Sequence, residues 1–367
     1  MEIKKISILG LGLIGGSLAK AFKNNNENSL LRGKNLSIHG FDKKEVLKKV
    51  FEEGVIDSFS EDVEDCLQAD VIFLCLPVDT SLHYFRLLIE KLKDEQIISD
   101  VCGVKSIFQN VWDEKERNGF YIGGHPMTGK ENGGYENSDP YLYENSIYIL
   151  NENAKDYPII DQFIKLIELT GAKIAYLTPK IHDIIVASVS HLPQLVSVSL
   201  INSASLKHSD KNFFDFAAGG FRDMTRIAAS DFIIWEDIFK YNQRNIELAI
   251  DNFINDLLQM RKAINKGDFS IIHEKFENAR IKRDEIPKAN KGFINPLVDI
   301  FISVKDEPGV LSKITTELFK ANINIKDIEL LKVRDGRGGT FRLSFETNDI
   351  ASKAKQIIEQ IGFNAIS

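Results

Sequence analysis

Cysteine is scarce in this 367-residue chain: Cys66, Cys75 and Cys102 are the only three. Three scattered thiols are too few for a disulfide framework and lack the paired spacing of a zinc site. No metal is expected, and a reducing cytoplasm is the expected setting. Basic residues do not dominate either: 46 Lys and Arg stand against 53 Asp and Glu, a formal charge of −7. Such a balance argues against a general binder of nucleic acid or anionic membrane. An anionic substrate must therefore be held by local cations. The first ten residues, "MEIKKISILG", carry no secretory pattern, and the sequence shows no apolar run approaching membrane-spanning length. The length favours two or three domains.

What is present begins with glycine. "KKISILGLGLIGGSLAKAF" reads as a buried strand, a glycine-rich turn and a helix. Gly10, Gly12 and Gly15 fit G-x-G-x-x-G, with Leu13 and Ile14 opening the helix. One glycine permits the tight turn, one lets a pyrophosphate approach the backbone, and one lets helix and strand pack closely. The strand before and the helix after make this more specific than the bare spacing. A second strand ends at Asp42, an acceptor for a ribose 2′-hydroxyl, which favours NAD over NADP. Lys43 and Lys44 leave room for NADP. The polar insert "NNNENSLLRGKN" explains why the acid lies further than the usual ~20 residues from the glycines.

Further buried strands end near Pro77 and Asp100, putting Pro77-Val78-Asp79 and "CGVK", Cys102 to Lys105, on the cofactor side of a doubly wound sheet. The next strand, Phe120 to Ile122, runs straight into "GGHPMTGKENGG". His125 then sits at the cofactor edge, where an imidazole can move a proton near neutral pH. Two more strands, 146–151 and 172–178, flank an amphipathic helix, and this Rossmann-type NAD-binding domain spans residues 1–177.

Residues 178–288 read as an all-α substrate and dimerisation domain. Thr178-Pro179 is a helix start, an N-cap followed by proline. The helix that follows is nearly all apolar, hence buried, and a candidate subunit contact. Pro193 within it removes a hydrogen bond and frees the Val189 carbonyl, so a kink is expected at Ser190 and His191. A polar pair at a costly break suggests a ligand-facing site. In "GGFRDMTRIAASDFIIW", Arg226 is the candidate carboxylate fork and Trp235 a pocket wall or core residue. After a linker, residues 297–367 follow the order βαββαβ, a ferredoxin-like sandwich. Its first strand-to-helix turn, Asp306-Glu307-Pro308-Gly309, leaves amides open to a small anion.

Taken together, "GLGLIGGSLA", "HPMTGKE", "HDIIVASVSHLP", "GGFRDMTRIAASD" and "DEPGVLSKI…NINI" resemble the prephenate dehydrogenase family with a C-terminal ACT domain, over essentially the whole chain. The resemblance implies NAD-dependent oxidative decarboxylation of prephenate to 4-hydroxyphenylpyruvate, on the route to tyrosine. It implies His125 as the base on the ring hydroxyl, and His191 and Arg226 as substrate contacts. Glu131 and Asp183 match positions that shape or gate the pocket. It also implies Pro308, Gly309 and Asn324, with Asp306, as an effector site, tyrosine as effector, and a homodimer. One departure stands out. "DVCGVK" places Gly103 where many members carry a serine that bonds the histidine, so either Cys102, Ser106, Thr128 or a water replaces it, or the histidine is less firmly oriented. Gln194 replaces a common histidine and leaves arogenate open as the alternative substrate. A β-hydroxyacid dehydrogenase would carry a catalytic lysine motif in the helical domain, and none is placed comparably. A non-catalytic NAD and amino-acid sensor would not need His125 and Arg226.

Overall fold

The computed structural model describes residues 2–28, 36–130, 132–205, 207–208, 211–285, 297–305, 307–334 and 338–366. Two compact units divide it, Met1–Ile272 and His273–Ser367.

The first unit opens with strand β1 (Lys5–Leu9) and helix α1 (Leu13–Asn28), which absorbs the start of the polar insert. The remainder of that insert, 29–35, lies outside the described residues. Next come β2 (Ser37–Phe41), α2 (Lys44–Glu52), β3 (Ser58–Phe59), β4 (Val71–Leu74), α3 (Val78–Leu88), β5 (Ile97–Asp100), α4 (Ser106–Asp113) and β6 (Phe120–Tyr121). The six strands form one sheet in the order β3-β2-β1-β4-β5-β6, and every pairing is parallel. Strands covered on both faces have no polar side to show. Ile6, Ile8, Val71 and Phe73 accordingly pack into one cluster, while their neighbours Leu9, Ile72 and Leu74 pack into another.

The expected continuous run from Phe120 into the histidine loop is broken. After β6 the chain leaves the large sheet, and β7 (Gly124–Pro126) joins a second sheet with β8 (Ile147–Asn151) and β9 (Lys173–Leu177), linked by α5 (Ile160–Glu168). Close approach at the crossing accounts for the break. A Cβ on Gly123 would lie 2.5 Å from the Asn151 amide, and one on Gly124 would lie 2.7 Å from the Tyr148 ring. Any side chain here would push the second sheet away.

Helix α6 (Pro179–Val186) starts where Thr178 accepts a hydrogen bond from the Ile181 amide. It continues through a π turn, Ala187–His191, into α7 (Leu192–Ser203). The expected kink is thus replaced by a widened turn, in which the Leu192 amide bonds Ala187 O five residues back. That turn absorbs Pro193 without ending the helix. Contrary to the sequence reading, Pro179–Ser203 is by length and composition apolar enough to cross a membrane, and only 28% of its most apolar window is buried. Ile181, Ile184 and Val189 are exposed, whereas His182, Asp183, His191 and Gln194 point inward. The helix faces a polar site with one side and offers an apolar one outward.

A short hairpin, β10 (Lys207–His208) with β11 (Lys211–Asn212), interrupts what the sequence suggested to be unbroken helix. Then follow α8 (Gly219–Thr225), α9 (Phe232–Tyr241), α10 (Gln243–Lys266) and α11 (Phe269–Glu285). Helix α9 is tied to the NAD-binding side at Asp79, whose amide donates to Asp237 at 2.9 Å and whose carboxylate pairs with Lys240 at 2.7 Å.

The second unit takes in the end of α11 and then the expected βαββαβ fold: β12 (Val298–Val304), α12 (Val310–Lys320), β13 (Asp327–Arg334), β14 (Gly338–Phe345), α13 (Asn348–Gln360) and β15 (Asn364–Ile366). Its antiparallel sheet runs β13-β14-β12-β15, and Ile300, Ile302, Leu318, Leu343 and Ile358 fill its core.

Beneath the end of β5 lies a buried ion pair. Lys105 and Asp100 are each wholly buried and bonded to one another, and Asp100 also accepts from Tyr121 Oη at 2.8 Å and the Cys102 amide at 2.9 Å. Removing one member leaves an uncompensated interior charge. We expect Lys105→Met to lower unfolding free energy by about 3–5 kcal/mol in denaturant titrations. A loss below ~1 kcal/mol would mean that the pair carries no such constraint.

Candidate active site

The three fingerprint glycines divide their work as the spacing suggests. Gly10 has φ +93°, and a Cβ there would lie 2.5 Å from Cys75 O. At Gly15 a Cβ would lie 1.9 Å from Gly10 O. Gly12 has nothing within 4 Å, so its face is open to a ligand. Leu13 and Ile14 begin α1 beside this opening. Asp42 stands next to the turn, accepting from the Leu11 amide at 2.6 Å with Oδ2 and from the Lys43 amide at 2.6 Å with Oδ1. Pro77 and Val78 lie at the start of α3, past the end of β4. An uncluttered glycine at a helix start and an anchored acid at the strand ends fit a dinucleotide.

His125 projects from β7, opposite Ile149 of β8. Its Nδ1 lies 2.8 Å from His182 Nε2, and His182 Nδ1 lies 2.9 Å from Asp183 Oδ1. Asp183 is held in turn by two backbone amides, Lys105 N to Oδ1 at 2.8 Å and Ser106 N to Oδ2 at 2.9 Å. These contacts fix the protons. A carboxylate only accepts, so His182 Nδ1 carries the hydrogen and its Nε2 accepts from His125 Nδ1. The remaining nitrogen of His125, Nε2, is then a lone pair. A Cβ on Gly103 would lie 3.9 Å from it.

Two of the candidates for the role of a serine at Gly103 bond elsewhere. Thr128 Oγ1 donates to Leu142 O at 2.9 Å, and the buried Cys102 thiol faces Leu76 O at 3.9 Å. His182 supplies the orientation instead, from the opposite edge of the ring. Sequence reading missed it because an isolated histidine in an apolar helix usually belongs to the core. The signal was its position, adjacent to Asp183 and one helix turn from the capped start.

Electrostatics keep the imidazoles of the cluster uncharged and its carboxyl ionised. Burial, then the nearby His182, Lys105 and His191, push the His125 imidazole well below its ordinary value. Burial also lowers His182, against the opposing pull of Asp183. His191 is lowered to about 4, chiefly by burial. Burial alone would raise Asp183, but the bonds from His182, Ser106 and the Lys105 amide outweigh it and hold the carboxyl below the usual range.

The helical domain and the histidine loop together line a cavity of about 280 Å³. Ser190, Gln194, Arg226 and Trp235 line it from the helical side, together with Ile227 and Ser230, while Gly129 and Lys130 come from the histidine loop. Gln194 is fixed there by donating to Ile227 O at 3.0 Å. His191 is 1% exposed and lies behind this wall, edge-on to Trp235 with ring centroids 6.0 Å apart. Its Nδ1 is 3.3 Å from the Asn242 amide, which also donates to Asp183 O at 2.7 Å. Trp235 thus both walls the cavity and packs. Glu131 lies outside the described residues.

In the second unit, a cavity of about 230 Å³ sits at the start of α12, lined by Lys305, Glu307, Gly309, Leu330 and Phe341 among others. Gly309 caps the helix at φ +89°. Pro308 and Asn324 are exposed and do not line the cavity, and Asp306 lies outside the described residues.

The glycines give a separable test of the cofactor site. Gly12→Ala should leave the melting temperature unchanged yet weaken NAD binding by at least about tenfold, since only ligand space is filled. Gly15→Ala should lower the melting temperature as well, because its Cβ collides with backbone. Calorimetry with NAD titration checks both, and equal behaviour of the two variants would refute the division.

Comparison with known proteins agrees with this fold. Residues 28–176 match the prephenate dehydrogenase nucleotide-binding domain, 178–278 the prephenate dehydrogenase dimerization domain, and 298–363 the ACT domain. Prephenate dehydrogenase of Bacillus subtilis is 32% identical over 96% of this chain and 95% of its own length. That of Lactococcus lactis is 32% identical over 98% of both. Among solved structures, A. aeolicus prephenate dehydrogenase in complex with hydroxyphenyl propionate and NAD+ is 29% identical. It superposes with TM-score 0.68 over 78% of this chain and 99% of that one. From the nucleotide fold through the helices to the terminal sandwich, the chain belongs to the prephenate dehydrogenase family.

Proposed function

We propose that the lone pair at His125 Nε2 is the base of an NAD-dependent prephenate dehydrogenase, forming 4-hydroxyphenylpyruvate and carbon dioxide. The observation that carries this reading is the one-way chain Asp183–His182–His125, which leaves a single acceptor nitrogen beside Gly103. Gly10, Gly12, Leu13, Ile14, Gly15, Asp42, Pro77 and Val78 would hold NAD, which when bound supplies the hydride acceptor. His125 takes the proton of the ring hydroxyl as the carbonyl forms. His182 and Asp183 keep the ring turned, so that Nε2 is the nitrogen presented to the hydroxyl. Loss of the ring carboxylate as carbon dioxide is driven by aromatisation, so alignment is the remaining task. Arg226, exposed on the cavity wall, suits a substrate carboxylate, with Ser190, Gln194 and Trp235 around the same space. His191, behind Trp235, bears on the site through its neighbours.

The apolar residues left outside on α6, α9 and α10 support a homodimer built on the helical domain, for which residues 178–278 match a dimerization domain. The cavity at Gly309 supports an amino-acid effector site in the ACT domain, with tyrosine, the pathway's product, as the ligand.

Deprotonation needs neutral imidazole, and a lowered His125 pKa keeps it neutral well into acid. We expect kcat/KM to be flat through neutral pH, with its acidic limb below 6.5, the ordinary imidazole value. His125→Ala should lose about 10²–10⁴ in kcat, and His182→Ala should fall in the same direction. A limb at or above 6.5, or an active His125→Ala, would remove His125 from this role. For regulation, tyrosine should inhibit the full chain but not one lacking residues 297–367. Equal inhibition of both places the effector elsewhere.

A further inference from the structure

We propose that Lys130 is a second carboxylate-binding residue, and that with Arg226 it adapts the cavity to a dianion. The proposal rests on the reading of prephenate as substrate. Prephenate carries two carboxylates, one on the ring and one on its side chain, while the chain as a whole is acidic at −7. A single arginine neutralises one of them. The cavity offers two cations from two different parts of the fold: Arg226 from the turn after α8, and Lys130 from the histidine loop, five residues past His125. Among the described residues lining it, none is a carboxylate.

The way Lys130 is held suits exchange with a ligand. Its ammonium donates to Asn137 O at 3.3 Å and pairs with Asp139 at 3.2 Å, and the two side chains are 41% and 39% exposed. A pair this exposed contributes little to stability, so a substrate carboxylate can share or displace it cheaply. Asp139 itself is fixed, with its amide on Ser17 Oγ at 2.8 Å and its carboxylate on the Tyr141 amide at 3.0 Å. Lys130 is thereby pre-positioned at the rim without being buried. A compact, mobile ammonium complements the planar fork of arginine: one fixes orientation and the other supplies charge. A ligand with one carboxylate needs only the fork.

That asymmetry provides the test. Wild type, Lys130→Met and Lys130→Arg are assayed for prephenate oxidation, and hydroxyphenyl propionate, a monocarboxylate, is titrated into each. We expect Lys130→Met to raise KM for prephenate about tenfold with kcat nearly unchanged. Lys130→Arg should restore KM, and hydroxyphenyl propionate affinity should stay within about twofold throughout. The melting temperature of Lys130→Met should match wild type, as the side chain is exposed. An unchanged KM in Lys130→Met, or equal losses for the dianion and the monoanion, overturns the proposal while leaving the enzyme reading intact. A wild type that does not oxidise prephenate overturns both.

Discussion

The carboxylate of Asp183 is the point from which the site is hung. Two amides at the start of α4 hold it, and it holds His182, which holds His125. Its backbone carbonyl meanwhile anchors Asn242, whose amide reaches His191. One residue on a helix of the α domain is thus wired to a loop of the nucleotide domain and to both remaining histidines. A carboxylate buried so deeply is tolerable only because amides and an imidazole satisfy it. Were it lost, His125 would keep its place on β7 but not its tautomer.

Charge is managed locally rather than globally. The chain is acidic overall, yet Lys105 and Asp100 form a closed pair under the site, and Lys105 adds to the burial that keeps His125 neutral. Histidine is ordinarily poised to switch near neutrality. Here three of them are held toward the uncharged form by desolvation and by one another.

Much of this was legible in the sequence. The fingerprint glycines, the acid at the end of β2 and the βαββαβ order are local patterns whose physics acts within a few residues, and they appear at the expected places in the fold, whereas the histidine loop starts on a second sheet. What escaped was relational. His182 gains its meaning from a strand 57 positions earlier in the chain. The crossing at Gly123-Gly124 depends on Asn151 and Tyr148, brought there by another sheet. The hairpin at Lys207–Asn212 is two residues per strand, below what periodicity can resolve. Pro193 correctly flagged an anomaly, but its resolution into a π turn depends on backbone that no pattern encodes.

That π turn has a further meaning when viewed as a matter of phase. One extra residue in a helix rotates everything downstream by about 100° relative to what precedes it. The first half of the helix turns His182 and Asp183 to the nucleotide domain, and the second half turns Gln194 to the cavity walled by Trp235. A regular helix of the same sequence would aim its two halves along a single stripe. The inserted residue lets one rod address two clients lying at different bearings. Deleting it would misdirect one of them without removing a single functional side chain.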